Sequence, residues 1–203
     1  MKKTLLLAAT AATVLAGSAE ARKFDGTYAG VSLGYGLENA KMNVGGTTPT
    51  NKHHKGGAAS LHALLGWGKF MCSNYYGAEV RGGYDFLNKK KSGDTLKAGW
   101  TYGLGFRVGR VFNNDWLAFF RFGVDRSEYE FKYTRSGTQN KDNMRVWSVV
   151  PGFGAEYAVN DMFNVGLSYE YSIGYTQQGN NSEYKMSKLP RNHNVRVGFT
   201  VDF

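Results

Sequence analysis

The sequence has little cysteine, and beyond its first residues it has no long apolar run. The single cysteine, Cys72, excludes an internal disulfide framework and a cysteine-cluster metal site. After residue 21 no window holds the roughly 20 apolar residues that a membrane-spanning helix needs. The 13 Phe, 13 Tyr and 4 Trp argue against disorder, because disordered chains are poor in aromatic residues. With 203 residues, 27 glycines and a mean hydropathy of −0.42, the composition fits one ordinary domain and favours a transmembrane β-barrel.

The N-terminal segment has the features of an export signal. A short cationic start is followed by the apolar stretch Leu5–Ala16, and Ala19 and Ala21 form a small-residue cleavage site. This stretch is too short to be a spanning helix. We predict that residues 1–21 are a cleaved signal peptide and that residues 22–203 form the barrel domain.

The rest of the chain alternates with a period of two. Between Phe163 and Ile173 every second residue is apolar, and the same holds from Val195 to Phe203. Such segments of about ten residues have the length of a tilted membrane strand. Six further segments alternate in the same way, with apolar faces that begin at Ala29, Leu61, Tyr76, Trp100, Trp116 and Trp147.

Alternation alone also fits a soluble sandwich or a lipocalin-like barrel, in which the apolar face is the inside. Three features favour the membrane reading: aromatic residues lie near both ends of the apolar faces, the links alternate between short and long, and the chain ends on an aromatic residue. We therefore predict an all-β fold, an eight-stranded antiparallel up-and-down transmembrane β-barrel.

The link lengths predict an orientation. Outer-membrane barrels have short periplasmic turns and longer extracellular loops. Both termini would then face the periplasm. The short links are residues 69–74, 113–115 and 160–161, and the long ones are 37–55, 87–97, 132–143 and 175–191.

Together, the signal peptide, the eight alternating segments, the four long loops and the final Phe203 resemble the small outer-membrane barrel families. These include OmpX, the OmpA membrane domain and the opacity-type adhesins. The resemblance implies a place in the outer membrane of a Gram-negative bacterium. It also implies that Val197, Phe199, Val201 and Phe203 form the C-terminal signal read by the outer-membrane assembly machinery.

Charged residues on the inward phase predict a filled interior. An eight-stranded barrel is just wide enough for side chains to fill it. Rough heights along the strands predict three salt bridges, which would either plug the barrel or gate a narrow ion path. The pairs are Glu79 with Arg107, Arg121 with Glu156, and Glu170 with Arg196.

No catalytic or metal-binding constellation stands out. Ser60 and His62 share one face of a strand, but that face is predicted to point inward, away from lipid substrates. His53 and His54 lack the further ligands of a closed metal site. We therefore expect no enzyme activity, no cofactor and no resident metal.

The predicted loops carry a basic charge, +2 or +3 for each. A cationic crown beside the outer leaflet should attract lipopolysaccharide phosphates, acidic polymers or host surface molecules. We expect a monomeric surface protein that serves adhesion, lipopolysaccharide contact or envelope integrity, and that meets no nucleic acid because it is exported. A narrow porin-like channel is the alternative, and a lipid A-modifying enzyme comes third. The principal loop cations are Lys52, Lys55, Lys89, Lys90, Lys91, Lys185 and Lys188.

One segment inverts the pattern. In residues 126–133 the outward phase becomes charged while Tyr129, Phe131 and Tyr133 take the inward phase. A strand that emerges from lipid into water should show this inversion. We predict that the fifth and sixth segments form a hairpin protruding above the membrane, whose strand edge could pair with a foreign strand.

Overall fold

The computed structural model describes residues 23–44, 50–71, 74–91, 94–135, 138–179 and 188–203. Side chains are described at 23–37, 56–71, 74–87, 95, 97–130, 132, 143–175 and 191–203. The predicted signal peptide and Cys72 lie outside the described residues, and the side chains of the principal loop lysines lie outside the described side chains. The strands are β1 (Gly26–Val44), β2 (Thr50–Met71), β3 (Asn74–Asp85), β4 (Asn88–Lys91), β5 (Asp94–Phe112), β6 (Trp116–Arg135), β7 (Thr138–Ala158), β8 (Phe163–Gly179) and β9 (Lys188–Asp202).

The strands form one closed antiparallel sheet. Strands that are neighbours in sequence pair with each other except β3 and β4, β1 pairs with β9, and β3 pairs with β5. The short β4 also pairs with β5, so that β3 and β4 are two parts of one barrel strand. The result confirms the predicted eight-stranded up-and-down barrel.

The wall is apolar outside and polar inside. On the outer face Phe106 is 67% exposed and Phe120 is 74% exposed. Their inward neighbours Arg107 and Arg121 are only 6% and 4% exposed. A water-soluble barrel would have the opposite arrangement, whereas lipid requires an apolar outer band and backbone groups paired around a closed sheet. Among the described residues no helix is long and apolar enough to cross a membrane.

We call the two ends of the barrel the short-turn end and the long-loop end. The short-turn end holds Phe203 and the links that follow β2, β5 and β7. In the β5–β6 turn Asn113 and Asn114 adopt positive φ angles of 51° and 63°, a conformation that asparagine tolerates better than most residues. In the β7–β8 turn the Asn160 side-chain oxygen accepts hydrogen bonds from the backbone N–H groups of Met162 and Phe163.

Three of the predicted long loops are wrong as loops, because strands continue through them; in loop 87–97, β4 pairs with the start of β5. β1 stays paired with β2 up to Val44 and Thr50, inside the predicted loop 37–55. β6 stays paired with β7 up to Arg135 and Thr138, which confirms the predicted long hairpin. Backbone ladder bonds are independent of side-chain polarity, so polar and glycine-rich segments extend the hairpins beyond the 9–11 residues that cross a membrane.

Two apolar clusters lie inside the barrel, one at each end. The short-turn cluster consists of Phe24, Tyr75, Leu117, Phe119 and Ala158. The long-loop cluster consists of Ala58, Leu87, Ala98 and Met144, with Tyr129 packed against them. The polar part of the interior lies between these clusters.

Candidate functional site

The middle of the barrel is filled by a network of arginine and carboxylate side chains. Four arginines point inward from four different strands, because each occupies the inward phase of its strand, and all are at most 9% exposed. Each of the four faces at least one of four buried carboxylates. The members are Arg81, Arg107, Arg121 and Arg196 with Glu79, Asp125, Glu156 and Glu170.

Glu170 on β8 is the centre of the half nearer the long-loop end. Arg81 Nη1 donates to both Glu170 carboxylate oxygens, at 2.6 and 2.8 Å, and Arg196 Nε donates to Oε2 at 3.0 Å. Arg81 also contacts Asp125 through Nη2. Arg196 Nη1 also donates a hydrogen bond to Ser60 Oγ at 3.1 Å. One carboxylate thus joins arginines from β3 and β9 across the barrel.

Glu79 on β3 is the centre of the other half. Its Oε2 lies 2.6 Å from Arg107 Nε, and its Oε1 lies 2.5 Å from Arg121 Nε. Arg107 and Arg121 face each other directly on β5 and β6, so the Glu79 carboxylate separates two like charges. Arg107 also stacks on Phe119, with its Cζ 4.5 Å from the ring centroid, which joins the network to the short-turn cluster.

The structure places two of the three predicted pairs together and corrects the third. Glu79 meets Arg107, and Glu170 meets Arg196. Arg121, however, contacts Glu79 and not the predicted Glu156, which contacts Arg107 at 2.6 Å. The predicted pair assumes that residues equally far from the strand ends lie at the same height. The register of β6 and β7 differs from this, because Arg121 lies opposite Gly152, four residues along β7 from Glu156.

Glycines make room for the long arginine side chains. A Cβ added at Gly123 would lie 2.5 Å from Arg121 Nη1, and one at Gly105 would lie 2.7 Å from Nη2. Among the described side chains the network leaves a cavity of about 40 Å³. That is space for a few water molecules and far too little for a solute.

His62 contacts an acid, whereas Ser60 contacts an arginine. His62 Nε2 lies 3.2 Å from Asp85 Oδ1, and Thr101 donates to Asp85 Oδ2 at 2.7 Å. Ser60 is instead a hydrogen-bond acceptor for Arg196. His62 and Ser60 are both buried inside the barrel. Among the described residues no group of three or more His, Cys, Asp and Glu side chains is placed to hold a metal ion. The side chains of His53 and His54 lie outside the described residues.

At the long-loop end the wall is charged outside and apolar inside, the reverse of the membrane-crossing part. The outward residues of β6 there are charged, and Glu128 lies beside Arg145 of β7 at 3.7 Å while Lys132 lies 3.3 Å from Glu130. The inward residues Tyr129 and Met144 belong to the long-loop cluster. The side chains of Lys52, Lys55, Lys89, Lys90, Lys91, Lys185 and Lys188 lie outside the described residues.

The C-terminal residues lie on the outer wall. Val197 and Phe199 are 43% and 53% exposed, and Val201 and Phe203 are half-buried. Phe203 N–H donates to the Thr27 carbonyl at 2.8 Å, which holds the end of the chain against β1. Recognition of these residues by an assembly machinery stays a prediction.

Sequence reasoning missed how the short-turn end is closed. Phe24, which precedes β1, is 3% exposed inside the barrel, and its N–H donates to Asp202 Oδ2 at 3.1 Å. Lys23 next to it lies 2.6 Å from Asp115 Oδ1 in the β5–β6 turn. The sequence feature that indicates this closure is on β6, where the inward-facing residues Leu117 and Phe119 are apolar.

Comparisons with known proteins place this fold. A model of the outer membrane protein beta-barrel domain matches residues 4–203. The 25 kDa outer-membrane immunogenic protein of Brucella abortus is 28% identical over 183 residues, which are 88% of this chain and 78% of the relative.

Two solved structures show the same fold. Neisserial surface protein A (NspA) has a TM-score of 0.54 at 13% identity, over 88% of this chain and 98% of its own. Ail, the attachment invasion locus protein of Yersinia pestis, has a TM-score of 0.53 at 14% identity, over 88% of this chain and 99% of its own. The model match covers nearly the whole sequence and the relatives are Gram-negative outer-membrane proteins, so this chain belongs to the outer membrane protein beta-barrel family and lies in the outer membrane of a Gram-negative bacterium.

Proposed function

We propose that this protein is a non-conducting outer-membrane surface protein, in which the barrel is a closed anchor and the basic long-loop end makes the functional contacts. The long-loop end then faces the outside of the cell, and both termini face the periplasm. The observation that carries the proposal is the filled interior: a network of buried ion pairs lies between two apolar clusters.

The charge balance of the arginine–carboxylate network supports a plug. Four arginines face four carboxylates there, and each cation has an anionic partner within 4.0 Å. A moving ion would have to separate such pairs, which leaves buried charges uncompensated at a cost of about 3–5 kcal/mol for each broken pair. The short-turn and long-loop clusters add two apolar barriers in series.

The loops supply the chemistry that the interior lacks. Counted from the sequence, each of the four loops carries a net positive charge. Such charge attracts phosphate-bearing lipopolysaccharide and acidic polymers on other surfaces. The structural neighbour Ail is called an attachment invasion locus protein, and attachment is one of the roles proposed here for the loops. The buried, arginine-bound state of Ser60 supports the proposal that the chain is no enzyme.

The test is binding by the refolded protein to immobilised lipopolysaccharide. The variant Lys89→Gln, Lys90→Gln, Lys91→Gln removes three charges from one loop. Because each phosphate-facing lysine contributes about 1 kcal/mol near an anionic surface, we expect binding to fall by at least tenfold.

The matched control is Lys69→Gln, which changes an exposed lysine at the short-turn end. It should bind like the unaltered protein, and binding by both should weaken as salt increases. Equal binding by the triple variant and the control would overturn the role of the loop.

A further inference from the structure

The outer wall of β5, β6 and β7 changes from apolar to charged within one row of residues. Rows of paired residues cross these three strands, and Leu104, Val124 and Val149 form the last fully apolar row. The next row toward the long-loop end is Tyr102, Arg126 and Trp147. On these three strands Arg126 is therefore the first charged side chain that the outer wall presents above the apolar band.

Two aromatic rings hold this arginine in place. Arg126 Cζ lies 5.7 Å from the centroid of Tyr102 on one side and 5.6 Å from that of Trp147 on the other. Rings at these distances fix a guanidinium group and attract it electrostatically, but they do not neutralise its charge. No carboxylate among the described residues forms an ion pair with Arg126, and its Nε is buried there without a hydrogen-bond partner.

The height of Arg126 fits the surface of a membrane. Arg126 lies ten positions along β6 from Trp116. Trp116 pairs with Tyr157 at the short-turn end, with ring centroids 4.9 Å apart. A tilted strand of about 9–11 residues crosses the hydrocarbon core, and aromatic rings line both of its interfaces. Arg126 is thus placed where lipid headgroups begin.

A groove lies directly above this row. Its volume is about 340 Å³, within the range of small-ligand pockets, and its lining includes Lys97, Trp100, Glu128 and Arg145. The groove sits at a β-bulge, where Gly99 and Trp100 of β5 oppose Glu128 alone. Cations there suit a phosphate, carboxylates suit sugar hydroxyl groups, and an exposed indole suits the face of a sugar ring.

We propose that Arg126 and the groove above it form a binding site for the phosphorylated sugar headgroup of an outer-leaflet glycolipid, the lipid A part of lipopolysaccharide. The guanidinium binds the phosphate from the side of the wall, and the acyl chains lie along the apolar rows below. Charge complementarity carries the choice of occupant, because an unpaired cation at the lipid surface is stabilised by an anionic headgroup. The site lies on the wall and not on the loops, so its failure would leave the proposed role of the loop lysines intact.

The experiment measures lipid A retained by the refolded full chain in detergent micelles, by native mass spectrometry. The probes are bis-phosphorylated lipid A and the same lipid after enzymatic removal of its phosphates. Arg126→Gln removes the charge and keeps much of the side-chain volume. Since the variant loses the charge-assisted hydrogen bond to the phosphate, we expect at least a tenfold loss of the phosphorylated lipid.

The matched control is Arg110→Gln, an exposed arginine of β5 near the short-turn end. It should retain the phosphorylated lipid fully, and Arg126→Lys should retain more than Arg126→Gln. A shift in gel mobility on heating shows that each variant is folded. If Arg126→Gln does not fold, Trp147→Leu, which removes one side of the aromatic clamp, should weaken retention by several-fold.

Three results would overturn the proposal. The first is full retention of lipid A by Arg126→Gln, or by Trp147→Leu if Arg126→Gln does not fold. The second is that the unaltered protein retains the dephosphorylated lipid as well as the phosphorylated one. The third is that Arg126 is needed to capture a soluble sulfated polysaccharide but not to retain lipid A.

Discussion

The membrane-crossing part of the barrel and its long-loop end are built from the same strands but with opposite polarity. Along β6, Phe120 and Phe122 face outward while Arg121 faces inward. Farther along the same strand Glu128 faces outward while Tyr129 packs inward. The alternation keeps its period of two along the whole strand. What marks the boundary between lipid and water is that the apolar residues move from the outward positions to the inward ones. A charge in one part is a buried ion pair, and in the other it is a solvated surface group.

We expect the two parts to differ most in how much stability they lose when one carboxylate is removed. Glu170→Gln leaves Arg81 and Arg196 without their shared anion, so we expect the unfolding free energy to fall by about 3–5 kcal/mol. The matched change at the long-loop end is Glu128→Gln, whose exposed partner Arg145 lies 3.7 Å away. It should cost about 0–1 kcal/mol. Urea titration of the refolded barrel in lipid measures both, and equal losses would show that the interior is as wet as the surface.

A charge introduced on the outer face should distinguish lipid from water. Phe122 is 58% exposed on the apolar band, and Phe122→Lys should cost about 2–4 kcal/mol if that residue lies near the middle of the bilayer. On the same face of β6, Glu130→Lys breaks an exposed ion pair with Lys132 beyond the apolar band and should cost about 1 kcal/mol or less. The same titration in lipid vesicles compares the two, and a tolerated Phe122→Lys would contradict the position of the membrane.

A smaller effect is expected from a single methyl group inside the barrel. Gly123→Ala would place a Cβ 2.5 Å from Arg121 Nη1 and should cost about 1–3 kcal/mol by overpacking. Gly82 on β3 is the control, because nothing lies within 4 Å of a Cβ added there. Gly82→Ala should leave the free energy of unfolding unchanged or slightly raised. If both variants behave alike, the interior has more free space than the structure shows.

The sequence predicted the barrel well because lipid imposes a simple rule on each strand. Alternation placed Glu79, Arg107, Glu170 and Arg196 inside, where the structure has them. It failed for the pairing of Arg121, since the register between β6 and β7 depends on the whole sheet. It also ended β1 too early and began β2 too late, because ladder bonds tolerate polar residues. The clamp on Arg126 was not foreseen, since it needs residues from three strands at one height.

Single-channel conductance of the refolded barrel in a planar bilayer tests the central claim most directly. With the interior filled between the two apolar clusters, the unaltered protein should show no stable openings. Glu170→Gln combined with Phe24→Ala, which removes one carboxylate from the network and one ring from the short-turn cluster, should make brief openings appear. Stable openings of the unaltered protein that change when Arg121 or Arg196 is neutralised would contradict the closed anchor and make the chain a narrow channel.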